Sequence, residues 1–197
     1  MVFPAFDIIG LIQAVGYIGL FIIVFAESGI FVGFFLPGDS LLFAAGLLAS
    51  QGFLDIIYLI PLLAIAAILG DSAGYWTGKK FGRRLFERPE SRLFRKERLA
   101  RAQRFYERHG GKTIVIARFI PIIRTFAPIV AGIAEMRYRR FLLFNVFGGI
   151  FWVASLTAAG YFLGALVKDI ELYILPIVGI IILISLLPAL VHVLRRR

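Results

Sequence analysis

Four charged residues stand inside otherwise apolar stretches: Glu27 and Asp39 near the start of the chain, and Arg118 and Arg124 past its middle. A charge at the centre of a bilayer costs about 2.5–3.5 kcal/mol on insertion scales, so such residues point to function by default. An arginine fork can hold a phosphate through two parallel hydrogen bonds and keeps its charge when buried. Carboxylates beside it can take up and release a proton. This makes Arg118 and Arg124 the expected binders of an anionic substrate, and Glu27 and Asp39 the expected proton-coupling groups. A new helix starting at Asp39–Ser40 or at Thr125 would add backbone N–H donors suited to the same anion. The plainer alternative is that a carboxylate pairs with an arginine only to lock two segments together. Removing one partner of a buried pair is itself strongly destabilising, so loss of function does not separate the two. Asp39 also suits the simple role of helix cap.

Supporting positions follow. Asp71 is expected where a helix nears the cytoplasm, as a proton relay or as an interfacial charge. Asn145 suits a bond between helices, and Trp152 suits packing or an interfacial position rather than substrate contact. Gly74 and Gly78 have the spacing of close helix packing. The chain has no cysteine, and its two histidines, His109 and His192, lie beside a Gly-Gly pair and the C-terminal arginines. Neither a metal site, a cofactor nor a catalytic residue is expected. The hydroxyls near the four charges are Ser28, Ser40, Thr113 and Thr125, and no histidine accompanies them to activate one.

These residues must be positioned by membrane helices. The 197 residues are 60% hydrophobic and 17% charged, with a mean hydropathy of +0.88. The apolar residues form blocks at 8–36, 40–50, 56–70, 113–134, 141–167 and 170–194. A crossing helix needs about 20 such residues, so the blocks leave room for several spans and little for a soluble domain. The first block has no basic leader and no small-residue cleavage site, and is expected to be retained. The net charge of +10 is concentrated between Lys79 and Lys112, at Arg137, Arg139 and Arg140, and at Arg195–Arg197. Each group abuts an apolar block, the pattern of cytoplasmic loops in a bacterial inner membrane. Lipid headgroup phosphates, not nucleic acid, are the expected partners. Both termini are expected in the cytoplasm, and homo-oligomerisation is left open.

An internal repeat organises the blocks. Ala45-Gly46 recurs 86 residues on as Ala131-Gly132, and Ala73-Gly74-Tyr75-Trp76-Thr77-Gly78 recurs at the same offset as Ala159-Gly160-Tyr161-Phe162-Leu163-Gly164. The first copy ends in Lys79, Lys80, Arg83 and Arg84, and the second in the weakly charged Lys168, Asp169 and Glu171. Matching ends therefore fall on opposite sides of the membrane, as in inverted-repeat transporters. Ser28, Gly29, Gly33, Pro37, Gly38 and Gly46 interrupt one segment, and Pro121 and Pro128 break the other. The expected fold is all-α: a single membrane domain over 1–197, its first half at 8–78 with a re-entrant hairpin at 28–50. A basic cytoplasmic segment at 79–112 carries a helix after Pro89. The second half lies at 113–164 with a hairpin at 113–134, and a C-terminal transmembrane helix follows at 170–194. The hairpins would dip in from opposite faces with their tips close together.

At these positions the chain resembles the DedA family, also described as the VTT-domain superfamily. The likeness is carried by Glu27 with Phe35-Leu36-Pro37-Gly38-Asp39-Ser40, by Gly70-Asp71 with Gly74-Tyr75 and Gly78, and by Phe105-Tyr106-Glu107-Arg108-His109-Gly110-Gly111-Lys112. It continues through Arg118-Phe119-Ile120-Pro121 and Arg124 to Pro128, Asn145, Gly148 and Trp152. The resemblance implies a carrier that flips undecaprenyl phosphate or phospholipids, with dependence on the proton motive force in some members. It also implies that Glu27, Asp39, Arg118 and Arg124 are needed for function. The competing expectations are a proton-coupled exchanger for small cations or drugs, and an enzyme acting on polyprenyl pyrophosphate. A phosphatase would need a nucleophile or a metal-activated water.

Overall fold

The computed structural model describes residues 8–29, 38–82 and 111–166, and among them every regular element is helical. Six α-helices follow in order: α1 (Ile8–Gly29), α2 (Gly38–Ser50), α3 (Ile56–Thr77), α4 (Lys112–Ala117), α5 (Pro121–Ile133) and α6 (Tyr138–Leu166). Pro37, most of the basic segment at 79–112 and the expected helix at 170–194 lie outside the described residues, as do both termini.

Helix lengths sort the elements. At about 1.5 Å per residue, α3 and α6 are long enough for a hydrocarbon core of about 30 Å. Both are apolar enough to cross, α3 together with the turn that follows it. By the same rise α2 and α5, with 13 residues each, reach only about 20 Å and cannot span. The outer faces of α3 and α6 carry exposed Ile57, Ile65, Leu69, Leu143, Phe147, Phe151 and Phe162. An apolar face of that extent suits a hydrocarbon surrounding, not water.

Local chemistry sets the ends. Asp55 caps α3 by accepting from Ile57 N–H at 2.8 Å. Its own N–H donates to the Tyr17 hydroxyl at 2.7 Å, which places the α1 segment around Tyr17 beside the start of α3. A π-helical turn at Gly78–Gly82 carries Lys79 and Lys80, and the Lys79 ammonium lies over the Trp76 ring at 5.3 Å. Pro121 opens α5 at a position where its missing N–H is harmless. The expected break at Pro121 therefore falls just before it, at Arg118–Ile120. Pro128 does not break the helix: α5 runs through it to Ile133. Glu135, in left-handed conformation, ends the helix, and the Tyr75 hydroxyl ties that end to α3 by donating to the Met136 carbonyl.

Contacts fix the running directions. Helices α3 and α6 are antiparallel, with Tyr75 stacked on Phe141 at 4.7 Å and Asn145 bonded to the Ile68 carbonyl. Helix α2 packs chiefly on α6, and α5 on α3, so each short helix lies on the long helix of the other half. Both pairs are parallel and both meet backbone to backbone at glycine. A Cβ on Gly46 would overlap the Thr157 carbonyl, and one on Gly160 the Phe43 carbonyl. On the other side, Gly132 meets Tyr75 and Gly78 meets Ile129 in the same way. The matching positions on the short helices are 86 residues apart, as in the sequence repeat, whereas those on the long helices are 82 apart. The long helices are thus engaged one turn out of step with their own sequence match. Helix α1 runs parallel to α3, with Gly29 and Gly70 in backbone contact, and α4 runs parallel to α6, with Gly111 against Phe144 and Gly148 near Val115.

Candidate functional site

The sequence-predicted charges converge into two buried clusters. The first is built on Arg124, in the first turns of α5. Its guanidinium donates from Nη2 to Glu27 Oε1 and from Nη1 to Asp39 Oδ1. Glu27 comes from the last turn of α1, and Asp39 from the first turn of α2. Their side-chain exposures differ sharply: 2% for Glu27, 12% for Arg124 and 42% for Asp39. Glu27 lies so close against Gly38 that its carboxylate occupies the space a Cβ there would need. Glycine at position 38 is therefore a condition of this cluster. The start of α2 also presents backbone dipoles that favour negative charge.

The second cluster is built on Arg118, at the break between α4 and α5. It donates to Asp71 Oδ2 on α3 and to Asn145 Oδ1 on α6. The amide of Asn145 donates in turn to the Ile68 carbonyl at 3.0 Å and to Ser72 Oγ at 3.5 Å. Gly148 and Gly149 leave room on α6 for the Arg118 side chain. Arg118, Asp71 and Asn145 are all buried, and Arg118 Nε has no hydrogen-bond partner among the described residues.

Trp152 stands between the clusters. Its ring centroid lies 4.8 Å from Arg124 Cζ and 5.9 Å from Arg118 Cζ. Its indole N–H donates to Asp39 Oδ1 at 2.8 Å. Five helices and the α4–α5 break thus send side chains to one place: α1 with Glu27, α2 with Asp39, α3 with Asp71, α5 with Arg124, α6 with Asn145 and Trp152, and the break with Arg118.

Each arginine selects its own partners, which the sequence left open: Arg124 takes both Glu27 and Asp39, and Arg118 takes Asp71. Asp71 is buried and ion-paired with Arg118. The sequence places it about two turns before the Lys79-Lys80 run, but α5, α6 and the Arg118 side chain close over that level of α3. Pro128 lies near Gly74 and serves packing. Trp152, expected in packing or at an interfacial position, has a polar contact in the cluster. A signal for it exists: Asn145, Gly148, Gly149 and Trp152 fall on one helix face by their i, i+3, i+4, i+7 spacing.

A VTT domain matches residues 36–162. Protein DedA of Escherichia coli is 48% identical over 183 residues, covering 92% of this chain and 83% of that protein. The chain belongs to the DedA family. A membrane protein of Mycobacterium tuberculosis, Rv0364, is 44% identical over 90% of this chain and 78% of its own length. Inner membrane protein YqjA of Escherichia coli is 36% identical over 75% of this chain and 67% of its own length. No solved structure matches the chain. All six described residues that the sequence marked as charged or polar site members of this DedA-family chain (Glu27, Asp39, Asp71, Arg118, Arg124 and Asn145) belong to one cluster or the other.

Proposed function

We propose that the protein is a carrier that moves a phosphate-bearing lipid across the bacterial inner membrane, undecaprenyl phosphate or a phospholipid, coupled to proton movement. The observation that carries this reading is Arg124 gripped by two carboxylates at the meeting point of two helices too short to span. A headgroup phosphate binds there by displacing one carboxylate from the guanidinium. Protonation of the displaced carboxylate removes its claim on the arginine, so headgroup binding and proton uptake become one exchange. Three carboxylates face two guanidinium groups in the two clusters, and one proton brings them to neutrality.

The architecture we infer is an inverted repeat. Helices α1 (Ile8–Gly29) and α2 form one re-entrant hairpin, which extends the one expected at 28–50 back through α1, since Tyr17 and the Ser50–Asp55 turn share one end of α3. Helices α4 and α5 form the second over 111–134, entering and leaving beside the start of α6. Irregular backbone at membrane depth is tolerated where protein or a wet cavity satisfies it. Lys79 and Lys80 assign the C-terminal end of α3 to the cytoplasm. The protein acts in this reading as a transporter, not an enzyme. A proton-coupled exchanger for small cations is the second reading, favoured by the excess carboxylate alone.

The test is a liposome assay with labelled undecaprenyl phosphate and a labelled phospholipid side by side, with and without a proton gradient. Wild type is expected to move at least one of them, and folded Arg124→Ala neither. Arg124→Lys is expected to fall at least about tenfold, because lysine lacks the two-pronged fork. Full activity of Arg124→Lys, or movement of neither lipid by correctly inserted wild type, would replace the carrier reading with the exchanger.

A further inference from the structure

We propose that Trp152 is a ligand of the bound phosphate, donating its indole N–H to a headgroup oxygen that takes the place of Asp39 Oδ1. The assignment rests on the carrier reading and adds a residue to its site. Two donors from different helices converge on a single oxygen: Arg124 Nη1 from α5 and Trp152 Nε1 from α6 both reach Asp39 Oδ1. A phosphate oxygen has the charge and acceptor character of that carboxylate oxygen and can accept from the same pair.

Asp39 is the partner able to leave. It is the most open of the cluster's charges and sits in the first turn of α2, whereas Glu27 is sealed against Gly38. When Asp39 withdraws, Glu27 still holds Nη2, and the buried indole N–H is left without an acceptor. An unsatisfied buried donor is costly, so the vacated position favours an anionic oxygen over water-poor emptiness. Trp152 is itself 2% exposed, and its ring lies against the Arg124 guanidinium. That contact holds the fork in place while its acceptor changes. A cationic cargo would gain nothing from the two donors that converge on this position.

Trp76 and Trp152 are the chain's two tryptophans, so Trp76→Phe makes Trp152 the sole indole reporter. That protein, in a neutral detergent, is titrated with dodecyl phosphate, inorganic phosphate and dodecyl maltoside, following emission together with heat by calorimetry. Dodecyl phosphate is expected to bind and to change Trp152 emission saturably, dodecyl maltoside to do neither, and Arg124→Ala to abolish both effects. Trp152→Phe keeps an aromatic ring without the N–H and is expected to weaken dodecyl phosphate binding about tenfold, the size of one hydrogen bond to a charged group. Inorganic phosphate binding as tightly as dodecyl phosphate would support the indole contact and assign the site to the free anion instead of a lipid. Equal affinity in Trp152→Phe and wild type would overturn the proposal, as would calorimetric saturation with unchanged emission. The emission titration needs no change at position 152 and decides the matter even if Trp152→Phe fails to fold. Absence of binding by wild type would instead remove the carrier reading on which the proposal stands.

Discussion

The two arginines share a residue type but differ in setting, and this difference is testable one side chain at a time. Arg118 is enclosed by Asp71 and Asn145, with no open partner comparable to Asp39. Asp71→Ala leaves a buried guanidinium uncompensated and is expected to cost about 3–5 kcal/mol, seen as a lowered midpoint of thermal unfolding. Asp39→Asn acts differently, because Asp39 is 42% exposed at its side chain and asparagine keeps an acceptor for Trp152 and Arg124. Its unfolding midpoint is expected to stay near wild type while lipid movement in liposomes no longer responds to a proton gradient. A gradient response preserved in Asp39→Asn would shift the proton role to Glu27. These roles could be read only in outline from sequence: the residue types announce phosphate and proton chemistry, but the choice of partner depends on contacts such as Glu27 with Arg124, separated by 97 positions. No local pattern encodes which of two arginines a distant carboxylate will meet.

At the scale of elements, glycine decides how closely the short helices approach the long ones. At Gly46 and Gly132 a Cβ would overlap a facing carbonyl oxygen, and backbone cannot move aside as a flexible side chain can. Gly46→Ala and Gly132→Ala are each expected to destabilise by about 1–3 kcal/mol, the range for overpacking a well-filled contact. Gly19 in α1 is the internal control, since nothing lies within 4 Å of its added Cβ. Gly19→Ala is expected to leave stability unchanged or raise it by up to about 1 kcal/mol through helix propensity. Thermal unfolding of the three variants in one detergent separates the cases. The Ala-Gly repeat made these glycines visible in sequence, and the start of α2 at Gly38 and the break before Pro121 could be anticipated from proline and glycine chemistry. The one-turn offset between the two helix pairs could not, because it is set by where carbonyls and glycines fit after the long helices have met.

At the scale of the whole molecule, the outward faces of α3 and α6 are apolar, and Glu27, Asp71 and Arg118 are buried inside. The chain is free of cysteine, so a single introduced thiol reports its surroundings without background. Phe147→Cys, on an exposed part of α6, is expected to resist a membrane-impermeant maleimide in intact membranes and to react once the membrane is dissolved. Gly52→Cys and Lys79→Cys flank α3 and are expected to label from opposite sides of sealed vesicles. Labelling of both from the same side would overturn the crossing assigned to α3 and with it the proposed inverted repeat.

By itself the sequence determined that the protein is helical, apolar and marked by a small set of ionisable residues, because hydropathy, charge placement and breaker residues act over a few neighbouring positions. It also carried enough of its motifs to declare the family. The tertiary structure alone decided that Arg124 binds two carboxylates, that Arg118 binds Asp71, and that an indole N–H enters the cluster. Those outcomes follow from helices crossing at one level, where charges withdrawn from water are held by the partners that packing brings within reach.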